Sequence, residues 1–131
     1  MKKILFISML ALGFLLISCN SSTEGKIEMV SPLQVYDAVH SEESMQLVDV
    51  RTEEEYEVSH LKNAQNICVT SDDFREKVTS LDKQKPVYVY CRSGKRSSRA
   101  AKILIELGFT KVYDLQGGHQ NWEKEGLESV K

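Results

Sequence analysis

From about residue 26 onward, two hydrophobic rhythms take turns along the chain. Short runs rich in β-branched and aromatic residues predict strands at 27–30, 46–50, 64–67, 87–90 and 111–114. The stretches between them carry apolar residues at helical spacing. Ser31-Pro32 supplies a cap and a proline at the first helical position. Leu33, Val35, Tyr36 and Val39 then form one face of a helix ending near His40. Thr52 caps a short acidic helix over 53–57, whose carboxylates suit the positive N-terminus. Ser71 caps a helix over 72–81, with Phe74, Val78 and Leu81 on one stripe. Ala100, Ile103, Leu104 and Leu107 mark a helix over 97–107, ended by Gly108. Gly117-Gly118 turns into a last helix carrying Trp122.

Five strands alternating with helices predict an α/β fold: a five-stranded parallel sheet with helices on both faces and right-handed crossovers. Ligands of such sheets sit beyond the carboxyl ends of the strands. Cys91 stands immediately after the strand 87–90. The same edge gathers Asp49, Arg51, Thr70 and His119.

The first residues follow a different pattern. Lys2 and Lys3 precede an apolar run from 4 to 17, broken only by Ser8 and Gly13. That run is short for a membrane span and suits the apolar region of an export signal. It ends in Leu16-Ile17-Ser18-Cys19, which resembles the lipobox of bacterial lipoproteins. The resemblance implies cleavage before Cys19 and lipidation of that cysteine. The chain then divides into a signal peptide at 1–18, a lipidated Cys19 with a polar tether at 19–26, and one domain at 27–131. The protein is expected to be exported and lipid-anchored to a bacterial membrane, on its periplasmic or outer-membrane side. An ordinary secretory signal with an incidental cysteine is the plainer alternative.

Composition narrows the partners. With 131 residues, 41% apolar and 27% charged, the chain is an ordinary globular one. A formal charge of −2 argues against nucleic acid as the main partner. Three scattered histidines give no metal-ligand spacing, and no cofactor motif is present. Besides Cys19 there are two cysteines, Cys68 and Cys91. Cys68, in an apolar run after Asn66-Ile67, reads as a small buried hydrophobe. A bridge between the two would consume the reactive thiol and is not expected.

The segment Cys91-Arg92-Ser93-Gly94-Lys95-Arg96-Ser97 carries the chemistry. No acid occurs between Cys91 and Glu106, whereas Arg92, Lys95, Arg96, Arg99 and Lys102 do. Gly94 permits a left-handed turn, so successive amides curl around the sulfur at a helix start. Such a setting lowers a cysteine pKa from about 8.5 to roughly 3.5–7.5 and makes the thiolate the standing form. No histidine base is then needed.

This loop resembles the active-site loop of the rhodanese-like sulfurtransferase family. The likeness extends to Leu47-Val48-Asp49-Val50-Arg51, to Glu55-Tyr56 through His60-Leu61 with Ala64 and Asn66-Ile67, and to Leu107-Gly108-Phe109, Val112 to Leu115 and Gly117-Gly118 with Trp122. It covers about residues 27–126. Two positions depart from the family pattern: Ser59 stands where glycine precedes the histidine, and Asn63 where glycine precedes the alanine. Asparagine tolerates a left-handed φ, so the second change is mild.

The resemblance implies a rhodanese fold and sulfane-sulfur transfer in two halves. Cys91 takes a sulfur from thiosulfate or a persulfide donor and passes it, as a persulfide, to cyanide or a thiol, a thioredoxin-like protein among the candidates. Cys91 is the catalytic residue, and Arg92 to Ser97 bind the anionic donor. Asp49, Arg51 and His60 support the site from behind. Asp49 reads equally as an acceptor for loop amides or arginines and as a buried strand-end cap. His60 reads as a structural residue, His119 as an exposed helix start, and Glu53-Glu54-Glu55 as a solvated face.

Two rival functions use the same residues. One is a sulfur carrier or interaction module without turnover. The other is a cysteine-dependent phosphatase or arsenate reductase. The latter needs an arginine six positions after the cysteine, and position 97 is serine. The shorter loop, closed by Arg96, favours a single sulfur over a phosphoryl group.

Overall fold

The computed structural model describes residues 24–41 and 44–131. The expected signal peptide, Cys19 and most of the tether lie outside these residues. Within them, no helix is long and apolar enough to cross a membrane.

The alternation is realised as β1 (Lys26–Val30), α1 (Pro32–Ser41), β2 (Gln46–Asp49), α2 (Glu53–Val58), β3 (Gln65–Asn66), α3 (Phe74–Lys77), β4 (Val87–Tyr90), α4 (Lys95–Glu106), β5 (Lys111–Leu115) and α5 (Gly118–Lys124). All five strands are parallel, in the order β1-β5-β4-β2-β3. Lys26, expected in the tether, already pairs with Lys111 in β1.

The two faces of each strand serve two cores. Val48, Val87, Val89 and Val112 pack on Phe74 and Val78 and on Ala100, Ala101 and Leu104 of α4. Val30, Leu47, Tyr90 and Leu115 pack on Val35 and Val39 of α1 and on Trp122 of α5. The period-2 alternation in Val87-Tyr88-Val89-Tyr90 sorts its valines to the first core and Tyr90 to the second.

Three expectations shift. The helix over 72–81 is instead a four-residue α3 followed by a 3-10 turn at Val78–Ser80. Ser71 does not cap it, because its hydroxyl donates to Asp73 Oδ1 at 2.6 Å. The helix expected from 97 begins two residues earlier, at Lys95. Gly94, at φ 113°, turns the chain directly into it. The two departures from the family pattern are both accommodated. Asn63 adopts φ 66°, and Ser59 is extended at φ −167°, a conformation open to any residue.

Candidate active site

Tyr90 ends β4 at the carboxyl edge of the sheet, and Cys91 follows with 1% of its surface exposed. The next three residues fold back over the sulfur. The Gly94 amide donates to Cys91 Sγ at 3.1 Å. A Cβ on Gly94 would meet nothing within 4 Å, so glycine is required there by its φ and not by crowding. The Gly94 carbonyl then accepts from the Ser98 amide at 3.0 Å, the first turn of α4.

The electrostatics of the thiol are a contest. Burial raises its pKa. Against burial act the Ser97 hydroxyl and the amides of Ser97, Gly94 and Ser93, and they prevail: the Cys91 thiol lies below its ordinary value. The Ser97 hydroxyl sits 3.6 Å from the sulfur and 3.1 Å from the Gly94 carbonyl. Ser97 itself is fully buried.

The floor of the loop is fixed from α5. The His119 amide donates to the Cys91 carbonyl at 2.8 Å, and the Gln120 amide to the Arg92 carbonyl at 3.0 Å. Gly118 lies flat against both residues. A Cβ there would stand 2.5 Å from the Cys91 carbonyl oxygen. The Gly117-Gly118 pair in the sequence is the trace of this close approach.

The cations divide. Arg96, expected to meet the donor, is held by Glu55: Nη1 and Nη2 donate to the two carboxylate oxygens at 2.7 and 2.8 Å. Glu55 is therefore not part of a solvated face. It also accepts from the Thr52 amide at 3.1 Å, and Thr52 Oγ1 accepts from the Glu55 amide at 3.3 Å, closing a capping box on α2. The Arg96 ion pair comes first in holding the Glu55 carboxyl down to about 2. Arg92 and Lys95 are exposed. Arg92 borders a cleft of about 320 Å³, together with Arg51, Glu55, Ser59 and His119.

Asp49 and Arg51 do not reach the loop amides. Asp49 is fully buried and accepts from the Arg51 amide at 2.9 Å, from Arg51 Nε and Nη2 at 2.9 and 2.7 Å, and from the Tyr90 hydroxyl at 2.6 Å. Arg51 Nη2 also donates to the Ser59 carbonyl at 2.7 Å. Tyr90 in turn accepts from the Leu61 amide at 3.1 Å. The cluster ties β2, β4 and the segment after α2 together beneath the cleft.

His60 stacks on Tyr56 at 3.7 Å between ring centroids, and its Nδ1 donates to the Tyr56 carbonyl at 2.9 Å, which is a structural role. His119 is not an exposed helix start. It is 6% exposed, with Nε2 3.2 Å from the Ser129 hydroxyl. Thr70 is taken up by Cys68, whose sulfur lies 3.1 Å from its hydroxyl. Cys68 is half-buried instead of buried, and both it and Cys91 are free thiols. Asp114, which sequence reasoning passed over as a strand residue, lies on the α4 side of β5 beside Ser97 and is 2% exposed.

The chain is similar to known proteins. A family model described as a rhodanese-like domain matches residues 31–125. An uncharacterized protein of Bacillus subtilis, YqhL, is 39% identical over 77 residues, which are 59% of this chain and 60% of that protein. The thiosulfate sulfurtransferase GlpE of Coxiella burnetii is 35% identical over 97 residues, covering 73% of this chain and 87% of the relative. A crystal structure of a rhodanese-related protein from Thermoplasma volcanium superposes with a TM-score of 0.69 at 29% identity, covering 79% of this chain and 97% of that one.

Proposed function

Because this chain belongs to the rhodanese-like domain family, we propose that it is a sulfurtransferase whose nucleophile is Cys91. The observation that carries this reading is the Gly94 amide 3.1 Å from Cys91 Sγ, with the Ser93 and Ser97 amides also acting on the same sulfur. Such a cradle stabilises a negative sulfur and leaves no need for a general base.

The reaction divides into two displacements. The Cys91 thiolate attacks the outer sulfur of thiosulfate. The bond between that sulfur and the sulfonate breaks, and sulfite departs with the electron pair. Cys91 now carries a persulfide, whose terminal anion meets the same amides. A thiolate or cyanide then attacks the terminal sulfur, and the Cys91 thiolate is restored. Within the loop, Arg92 and Lys95 are exposed and available to draw in the donor, whereas Arg96 holds the loop through Glu55.

The loop geometry favours this over phosphoryl chemistry. The turn to α4 is complete at Lys95, so the cradle closes around one sulfur. At the other end of the chain, the leader at 1–18 and Cys19 support a lipid-anchored, exported protein. A Cys19→Ala variant is then expected to lose detergent partitioning while keeping Cys91 reactive.

Mass spectrometry of the full chain after thiosulfate tests the main reading. One added sulfur on the Cys91 peptide is expected, removed by cyanide and absent in Cys91→Ser. Hydrolysis of an aryl phosphate without sulfur loading would overturn it. Loading without turnover to any acceptor would point to a carrier.

A further inference from the structure

The cleft beside the Cys91 loop has walls that neither displacement uses. Arg92, one residue from the nucleophile, lines it on the loop side. Val58 lines it from α2 and Glu123 from α5. Val58 ends α2 and is 72% exposed, the most exposed large apolar side chain among the described residues. A lone exposed valine means little by itself. Here its surroundings give it meaning.

α2 buries no residue, and four of its six residues are glutamates. Glu55 is engaged by Arg96. Glu53, Glu54 and Glu57 are exposed and enter no ion pair among the described residues. Glu53 and Glu54 suit the positive end of the helix. Glu57 does not: it stands in the last turn, at the negative end, four residues after Glu53. The helix dipole and a like-charged neighbour both disfavour it, so α2 gains nothing locally from this acid. Glu54 lies four residues before Val58, on the same face. Across the cleft the Glu123 carboxylate is 59% exposed on its side chain, with His119 Nδ1 at 3.5 Å. Lys124 follows it in the sequence but does not line the cleft.

The surface thus has two zones. Arg92 and Lys95 are exposed on the loop, and acids around an apolar step lie outside them. Its complement is an anion ringed by cations, with an apolar side chain beside them. A cysteine thiolate set among lysines or arginines has that form, and its cationic neighbours hold it as thiolate. We propose that the acceptor of the second displacement is a protein thiol in a basic segment, docked with its cations against Glu57 and Glu123 and an apolar side chain on Val58. Its thiolate attacks the outer sulfur of the Cys91 persulfide. The bond between the two sulfurs breaks, Cys91 keeps the electron pair as thiolate, and the partner leaves as a persulfide. Cyanide is too small to span from the loop to this wall. Val58 and Glu57 therefore select between acceptors without entering the chemistry. The inference rests on Cys91 being the sulfur carrier.

Docking is measured apart from transfer. The full chain, not loaded with sulfur and kept in a phosphine reductant, is titrated calorimetrically with two synthetic peptides. In one, lysines and a leucine flank a single cysteine; in the other, glutamates replace the lysines. The lysine peptide should bind at least roughly tenfold more tightly, and added salt should shrink the difference. Val58→Ser should weaken the lysine peptide by roughly three- to tenfold, the scale of burying one valine side chain. Glu57→Lys should weaken the lysine peptide and tighten the glutamate peptide. In transfer from thiosulfate-loaded protein, Val58→Ser should raise KM for the lysine peptide and leave the reaction with cyanide unchanged. A Cys91 that takes up no sulfur shows in the loading step, and the two affinities remain readable without it. Equal affinity for the two peptides, or a Val58→Ser chain that binds as the wild type does, would overturn the proposal.

Discussion

The guanidinium of Arg96 and the carboxylate of Glu55 meet in a fork, with contacts of 2.7 and 2.8 Å across 41 residues of chain. One end of the fork is the first turn of α4, directly after the Cys91 loop. The other is the first turn of α2, where Glu55 also closes the capping box on Thr52. The pair thus braces the reactive loop against the neighbouring strand-helix unit. A double-mutant cycle with Glu55→Gln and Arg96→Met, followed by urea unfolding, should give a coupling of about 1 kcal/mol. That is the upper range for a partly exposed pair with good geometry. No coupling would mean that the fork holds nothing.

The same pair sets a pH window. The Glu55 carboxyl is held down to about 2 in the folded protein, chiefly by Arg96. Its unfolded value is about 4.3. A depressed acid contributes stability that is present above the unfolded value and lost as pH falls through the folded one. Acid unfolding of the wild type should therefore steepen between about 4.3 and about 2, and Glu55→Gln should flatten that part of the curve. Identical acid profiles for the two proteins would refute the assignment.

Gly118 and Gly94 should respond differently to alanine. At Gly94 the space is open and the only obstacle is φ 113°, a strain of about 1–3 kcal/mol. At Gly118 the new methyl collides with the Cys91 carbonyl. Gly118→Ala should therefore displace the nucleophile and lower kcat for sulfur transfer by at least roughly tenfold, the scale of a small misplacement of a reacting group. Gly94→Ala should show mainly as a lower Tm. The reverse ranking in kinetics would contradict this picture of the loop floor.

Arg92 should govern capture of the donor more than its chemistry. It is exposed at the cleft and engaged by its carbonyl, through the Gln120 amide. Arg92→Ala should raise KM for thiosulfate by roughly tenfold, as one charge-assisted contact is lost, with kcat little changed. Added salt should erode the difference. An unchanged KM would remove Arg92 from the donor site.

Asp49 is a matter of stability. Its carboxylate satisfies both Arg51 and the Tyr90 hydroxyl with no exposure to solvent. Asp49→Ala leaves a buried guanidinium unpaired and should cost about 3–5 kcal/mol, read by urea unfolding. A loss below about 1 kcal/mol, the range of an exposed pair, would show that water replaces the carboxylate.

What the amino-acid order made legible was local. The run Val87 to Tyr90, the cysteine and the glycine-bearing turn are contiguous, so strand, nucleophile and helix start could be read together. Asn63 could be read for the same reason, since its left-handed φ is a property of one residue. The misses came from contacts between distant segments. Glu55 looked solvated because its partner lies on another element. His119 looked exposed because two glycines and a polar side chain suggest a surface turn, yet that turn packs on Cys91. Ser71 looked like a cap until Asp73 took its hydroxyl. Asp114 carried no signal at all: a polar residue in a short strand at one position looks the same whether it faces water or a buried serine.

The direction of β1 has a further consequence. Lys26 opens that strand in register with Lys111, which stands at the foot of β5 as Val87 does at the foot of β4. Cys91 is four residues beyond Val87, roughly 13 Å up a parallel sheet. The described chain therefore enters the sheet at its base, the edge away from Cys91. With the proposed lipid on Cys19, the sulfur would stand at the pole remote from the membrane, on the side open to soluble reactants.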